Sequence, residues 1–512
     1  MSKIDNSLKL LYSSKKPTLI NSVMVVIIMS ISIFAYSQYG LNGKLLRDHG
    51  IYIYSGQQLT KGVPPYVSIF DFKGPVIPII SGFGVSIADY MNYDHIYTVR
   101  FIFLLMGAAS VPALYVWAAK IFRSNMIGLL SCVTFLGFWG FGIRAASGPQ
   151  AKVPLIVFEI LFFLFLFRKN WFKAGLLSSL SVLTWQVMGV LPIIAIFLAG
   201  MQKGNLKIKF QNVMRVGLGI TIPILVVSLY FIYYGAFPEF IEGFVTFIFN
   251  YITRVPSSIG YHLSHPVLSS YNGYHHTIVQ LTLGMITIFY LIYSRIQKNS
   301  GIKSFLQNDN FAGLFLFLPI MFVWSMIDFQ GYTDAYIFLP ISALGFGWLA
   351  KNAIQRLMRA LKFGSKEQMW IVISVCLSFT IYFTFLYKKT SRFDLRVQRQ
   401  WAEMIDKEYI AGSKMVAVAV PEILSLLHRT NPNRHIVLDG GEDVMIDEKY
   451  PNGFTGWINS IEKYNPKVII YSKIKGRFQD QFEYWLNNNY TPVSGIYTWT
   501  CYLKNGYDVN RQ

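Results

Sequence analysis

Asp48-His49-Gly50-Ile51-Tyr52-Ile53-Tyr54-Ser55-Gly56-Gln57-Gln58-Leu59, continuing through Gly62-Val63-Pro64-Pro65-Tyr66 to Phe70-Asp71-Phe72-Lys73-Gly74-Pro75, follows directly on the first long apolar run of the chain. That position sets a carboxylate and an ammonium close to the surface of a membrane. Tyr52, Ser55, Gly56 and Leu59 share one helical face, so the first half reads as a helix. The Pro- and Gly-rich second half reads as turns.

The rest of the chain supports the membrane reading. Its 512 residues are 53% hydrophobic and 16% aromatic but only 14% charged, with a mean hydropathy of +0.39, values that do not fit a soluble globular enzyme. Apolar runs of about 16 to 24 residues separated by short basic clusters read as many transmembrane helices. The net charge of +20 raises nucleic acid as a partner, but its distribution argues against that. The cations gather in alternate loops: Lys3/Lys9/Lys15/Lys16, Lys120/Arg123, Arg168/Lys169/Lys173, Lys203/Lys207/Lys209/Arg215, Arg295/Lys298/Lys303 and Lys351/Arg356/Arg359/Lys362/Lys366. Cytoplasmic loops carry such an excess. The opposite loops carry Asp48, Asp71, Asp89, Asp94, Glu239, Glu242, Asp328 and Asp334 and face outward.

Spans are expected near 19–38, 96–119, 125–143, 153–167, 172–184, 187–201, 213–234, 276–294, 311–327, 335–350 and 368–387. These eleven crossings start from a cytoplasmic N-terminus and put the tail outside, in the plasma (inner) membrane. The run 75–93 has two prolines, several glycines and no basic flank, and reads as a re-entrant or interfacial helix; were it a crossing, the spans would number twelve. The short segments 172–184 and 187–201 suggest a tight hairpin turning near Trp185-Gln186. No small-residue cleavage site follows the basic N-terminus, so the first helix is expected to be an uncleaved anchor.

Cys132, Cys376 and Cys501 lie far apart and imply neither a disulfide framework nor a Cys-type metal site. No P-loop or GxGxxG is present. After Tyr387 the composition turns polar, and the β-type runs 415–420 and 468–471 alternate with helical stretches 421–428, 454–463 and 478–488. The division is therefore a transmembrane module, 1–387, with an external loop 39–95, and an extracytoplasmic α/β domain, 388–512.

The loop from Asp48 to Pro75, with the order of spans and the soluble tail, resembles the GT-C glycosyltransferases, membrane enzymes that take a sugar from a polyprenyl phosphate. The resemblance implies a polytopic α-helical fold of about 11–12 spans, of the protein mannosyltransferase and aminoarabinose transferase kind. It implies that Asp48 is the catalytic base and that Lys73, before its Gly-Pro turn, lies near the lipid phosphate. The partners implied are a polyprenyl-phosphate-linked sugar, a glycan, lipid or protein acceptor, and membrane lipids, with no cofactor and a divalent metal left open. Read from its residues alone, Asp48 is first an N-cap for the helix behind it, a role that can coexist with that of base. Tyr52, one turn on, joins the substrate-binding candidates.

Two departures stand out. His49 occupies a place where several branches carry a second acid; a neutral imidazole there is expected either to orient the acceptor or assist proton transfer, or to be a surface histidine without a role. In the second external loop, Ser147-Gly148-Pro149-Gln150-Ala151-Lys152-Val153-Pro154 lacks the acid common in the family. Gln150, Lys152 and nearby Arg144 are candidates for contacts to sugar hydroxyls or donor phosphate; interfacial snorkelling is the alternative for the cations. Arg254 is a further phosphate candidate, following the aromatic stretch Phe237, Phe240, Phe244, Phe247, Phe249 and Tyr251. His262, His265, His275 and His276 read as loop residues before a zinc site. Glu159, mid-span, is expected to make a structural hydrogen bond. The turn Asp328–Asp334 either lines the donor pocket or simply reverses the chain. Two function classes remain: a lipid-linked-sugar transferase, and a non-enzymatic transporter or flippase of lipid-linked glycans. Polar residues concentrated in external loops rather than at mid-membrane favour the first.

Overall fold

The computed structural model of the protein describes residues 19–251, 258–299, 301–386, 394–410, 412–496 and 499–507. Leu19–Ser37 (α1) precedes the two loop helices Arg47–Thr60 (α2) and Val76–Met91 (α3). The bundle continues through His95–Ile121 (α4), Asn125–Leu136 (α5), Trp139–Ser147 (α6), Lys152–Phe167 (α7), Trp171–Thr184 (α8), Val190–Met201 (α9) and Leu206–Tyr233 (α10). Beyond a run of short helical turns come Ile259–Tyr274 (α11), Ile278–Lys298 (α12), Ala312–Ile327 (α13), Leu339–Ala360 (α14) and Ser365–Leu386 (α15).

Among the described residues, four helices are long and apolar enough to cross a membrane. They become six when two bent pairs each count as one span: α5 with α6, bent by 67°, and Ile302–Asn308 with α13, bent by 111°. The outer face of α10 exposes Leu218, Ile222, Leu225, Val226, Leu229 and Ile232, a surface that lipid solvates and water does not. The protein is an integral multi-pass membrane protein. The expected spans are present as helices, several of them shorter or more broken than an apolar run implies. The expected hairpin at 185–186 is a 3-10 turn, Gln186–Gly189, between α8 and α9.

The helix α3 has 16 residues, about 24 Å at 1.5 Å per residue, less than the roughly 30 Å of hydrocarbon. It packs along α2 and α4 and leaves Phe83, Tyr90 and Met91 exposed.

The tail carries a four-stranded sheet of order β1-β2-β4-β3. Met415–Val418 (β1) and Val468–Tyr471 (β2) pair in parallel, Met415 against Val468. Trp499–Lys504 (β4) runs antiparallel to β2 and to Tyr490–Ile496 (β3). Both parallel strands are buried throughout, as strands covered on two faces must be. Leu395–Ile405 (α16), Pro421–Leu427 (α17), Glu442–Lys449 (α18), Gly453–Tyr464 (α19) and Gln479–Asn489 (α20) complete the unit. Trp457, Phe454, Ile458 and Phe482 form part of its separate core. The expected junction at 387/388 lies outside the described residues.

The tail is clamped onto the loop. Helix α2 is buried from His49 to Gln58, with α17 on one side and α3 on the other. Gly50 makes this possible: a Cβ there would stand 2.4 Å from the Glu422 backbone nitrogen. Gln57 Nε2 donates to the Ser425 carbonyl at 3.1 Å, and the Asn431 amide donates to the Tyr54 hydroxyl at 3.0 Å. An Arg47–Asp439 ion pair adds a charged contact.

Candidate functional site

The site is built where α2 begins. Leu46 is the N-cap, and its amide donates to His49 Nδ1 at 3.5 Å. Asp48 is therefore not the cap. It lies in the first turn, where the helix dipole favours a negative charge, and its carboxylate is turned to Lys73, with Oδ2 3.6 Å from Nζ. Both groups sit deep in the protein yet keep 42% (Asp48) and 28% (Lys73) of their side-chain surface open, which describes the floor of a crevice.

Lys73 is held by its backbone. The Tyr66 hydroxyl donates to its carbonyl at 2.7 Å, and its amide donates to Asp71 Oδ1 at 3.3 Å. Gln186 Nε2 donates to the carbonyls of Phe72 at 2.8 Å and Phe244 at 3.0 Å, tying this loop to the π-helical turn Glu242–Thr246. Gly74 lets the loop lie on the end of α8, since a Cβ there would fall 1.8 Å from the Leu183 carbonyl oxygen. The ammonium then stands 5.7 Å from the Tyr52 ring centroid and 5.9 Å from that of Phe72. The Tyr52 hydroxyl is buried beside that ammonium.

Electrostatics follow from this packing. The Lys73 ammonium, outweighing burial, holds the Asp48 carboxyl at about 2; Arg47 and Arg144 add to the effect. Burial opposes the charge on Lys73, but Asp48, Tyr52 and Asp71 outweigh it and raise its pKa. Burial pushes Asp71 up to about 6 against the pull of Lys73. His49 is fully buried, and burial, with Arg100 and Arg144 next, drives its pKa down. It is a neutral imidazole whose Nδ1 faces the backbone of Leu46.

The second group of candidates comes partly together with the first. Arg144, in α6, donates from Nε to the Tyr332 hydroxyl at 3.0 Å, and its charge acts on Asp48. Tyr332 is fixed in turn by Tyr274, whose hydroxyl donates to its carbonyl at 2.8 Å. Lys152 is engaged elsewhere: it pairs with buried Asp334 and lies 4.5 Å over the Trp185 ring. Asp334 also accepts the amides of Gln330 at 2.6 Å and Gly331 at 3.2 Å, so it closes the 328–334 turn and neutralises Lys152 at once. The Gln150 carbonyl accepts the Val153 amide at 3.1 Å and opens α7. Arg254 lies outside the described residues.

Glu159 differs from expectation, being buried with neither carboxyl oxygen hydrogen-bonded to a described residue. His265 stacks on Tyr261 and His275 on Trp139. Among the described residues, no three His, Cys, Asp or Glu side chains come together as a metal site would need. Sequence reasoning missed Tyr66, Gln186 and Tyr332, which hold the cations in place. Spacing carried no signal for them, because each reaches the site from a different segment.

No family model and no curated protein matches the sequence. Solved structures do match. The aminoarabinose transferase ArnT from Cupriavidus metallidurans, bound to undecaprenyl phosphate, superposes with a TM-score of 0.60 at 11% identity, covering 94% of this chain and 97% of that one. Its apo form gives 0.61 at 10% identity, with 94% and 98% covered. The oligosaccharyltransferase AglB from Archaeoglobus fulgidus, in complex with an inhibitory peptide and a dolichol-phosphate, gives 0.52 at 14% identity, with 97% and 75% covered. The chain has the GT-C fold.

Proposed function

We propose that the protein is a GT-C glycosyltransferase that moves a sugar from a polyprenyl-phosphate donor to an acceptor hydroxyl on the extracytoplasmic face of the plasma membrane. The observation that carries this is the Asp48–Lys73 pair, partly open at the floor of a crevice beside Arg144. The proposed chemistry balances with these groups alone. Asp48 takes the proton of the acceptor hydroxyl, the freed oxygen attacks the anomeric carbon, and the bond from that carbon to the phosphate oxygen breaks. The phosphate leaves with the electron pair, its charge held by Lys73 and Arg144.

Resting Asp48 is a poor base because Lys73 holds it at about 2. A donor phosphate competes for the same ammonium, so donor binding restores basicity to Asp48 and favours donor-first order. His49 acts on this reading by fixing the start of α2 and not by exchanging protons. The acceptor is a glycan, lipid or protein hydroxyl. A transporter would draw on mid-membrane polar groups, and although Glu159 is one, the ionisable cluster lies at the loop face.

Lys73→Ala tests the donor half. Undecaprenyl phosphate should bind to the purified full-length variant about 10- to 100-fold more weakly, as loss of a charge-assisted contact of about 1.5–3 kcal/mol implies. Unchanged affinity would remove Lys73 from the site.

A further inference from the structure

The contacts around Asp48 and Lys73 close into a ring. Asp48 faces Lys73 at 3.6 Å, and the Lys73 ammonium stands 5.9 Å from the centroid of Phe72. Phe72 lies against Gly440 of the tail, where a Cβ would be 3.6 Å from its ring. The neighbour of Gly440 is Asp439, which pairs with Arg47. Arg47 in turn precedes Asp48 and acts on its carboxyl. Residues of the external loop and of the tail thus surround one opening.

The groups on this rim are accessible and firmly held. Arg47 and Asp439 keep 29% and 31% of their side-chain surface open, and Phe72 is half-buried. A guanidinium has five N–H donors and a carboxylate about four acceptor sites, so the Arg47–Asp439 pair retains capacity for hydroxyl groups. Phe247 stacks on Phe72 at 5.5 Å and 21°, and Gln186 holds the Phe72 carbonyl at 2.8 Å. An aromatic ring fixed in this way loses little further freedom when a ligand arrives.

We infer that Phe72 and the Arg47–Asp439 pair form the subsite for the donor's sugar and set its specificity, Phe72 packing on the sugar ring and the ion pair hydrogen-bonding its hydroxyls. The inference rests on the transferase reading and names the class of sugar it leaves open. A sugar has an apolar C–H face and a hydroxyl edge, which suit the negative face of an aromatic ring and a few placed polar groups beside it. In the donor the sugar is bonded directly to the phosphate. With the phosphate on Lys73, a ring 5.9 Å from the ammonium is within the sugar's reach. The sugar is uncharged, because an ammonium or carboxylate on it would have to separate Arg47 from Asp439 to find a partner.

Equilibrium binding to the full-length protein in nanodiscs tests this with three lipids of equal charge: undecaprenyl phosphate glucose, undecaprenyl phosphate mannose and undecaprenyl methyl phosphate. The native protein should bind at least one sugar lipid about ten-fold more tightly than the methyl diester, the worth of a stacking contact and a hydrogen bond. Phe72→Leu, which keeps an apolar side chain without the aromatic face, should cut that preference to about two-fold, and Asp439→Asn to about three-fold. Affinity for the methyl diester should stay within two-fold of native in both, a result that a merely structural role would not give. A native protein that binds all three lipids equally overturns the subsite and leaves the transferase reading standing; one that binds none of them fails that reading and the subsite with it. A preference unchanged in both variants overturns the inference, as does tighter binding of a glucosamine-bearing lipid than of either neutral one. If Phe72→Leu fails to fold, Asp439→Asn decides.

Discussion

Asp48→Asn separates the proposed base from every structural role this side chain has. It is not the N-cap, and asparagine keeps its size, so α2 should begin where it does now. What is lost is the charge facing Lys73 at 3.6 Å. Two unit charges at that distance interact by roughly 1–5 kcal/mol between bulk water and an effective dielectric of 20. The fall in Asp48 from 3.8 to about 2 corresponds to roughly 2 kcal/mol at 1.36 per unit. With 42% of the side chain open, screening reduces that to about 1 kcal/mol. A donor phosphate must break this pair to reach Lys73. The variant should therefore bind undecaprenyl phosphate about five-fold more tightly than the native protein while transferring sugar 10²- to 10⁴-fold more slowly. Scintillation proximity binding in nanodiscs and single-turnover transfer to the acceptor measure the two quantities. Near-native turnover would show that Asp48 is not the base. A clear loss of donor affinity would show that its charge helps hold the donor, and the donor-first argument would fall with it.

Arg434 donates to Glu242 at 2.5 Å and to the Tyr66 carbonyl at 3.3 Å, and Lys449 reaches Glu242 at 2.6 Å. Arg434→Ala should destabilise the clamp by about 1–3 kcal/mol and speed hydrogen exchange in 63–74 and 242–251, leaving the sheet protected; unchanged exchange would argue that the clamp contributes nothing. Glu422 makes stability depend on pH. Its folded value of about 7 lies above the ordinary 4.5, so the folded state keeps a proton that the unfolded chain releases, and stability falls as pH rises from about 4.5 to 7. Glu422→Gln should equal the native protein below pH 4.5 and gain by about 3 kcal/mol above pH 7; a constant difference would refute this. Chelators should leave transfer unchanged, because the pairing of Asp48 with an ammonium is not a divalent-cation ligand set; activity lost to a chelator and restored by magnesium or manganese would overturn the metal-free route.

The helices of the bundle and the two parallel strands were legible because each is a local pattern. The strand pair β3 and β4 was not read in advance. The segment Tyr490–Ile496 contains Pro492 and Gly495 and looks like a loop, whereas Trp499, Cys501 and Leu503 do alternate inward and were a usable signal. The break at 137–138 was hidden because apolar content runs on through it. Lys152 illustrates the limit on reading charges: its partner Asp334 comes from a distant turn, so the sequence offered it as free for phosphate.

By itself the sequence determined that this is a multi-pass membrane protein, that its cations gather in alternate loops, and that Asp48 and Lys73 lie in the segment after the first apolar run. Insertion is governed by transfer free energies that add along the chain and by the local count of cations. Only the tertiary structure decided that Lys73 faces Asp48, that Arg144 joins them, that Lys152 is neutralised, and that Phe72 meets Gly440 of the tail. Those facts depend on which surfaces pack together, through Gly50 on α17 and Gly74 on the end of α8, and the energy of such close approach belongs to pairs of segments that sequence distance does not relate.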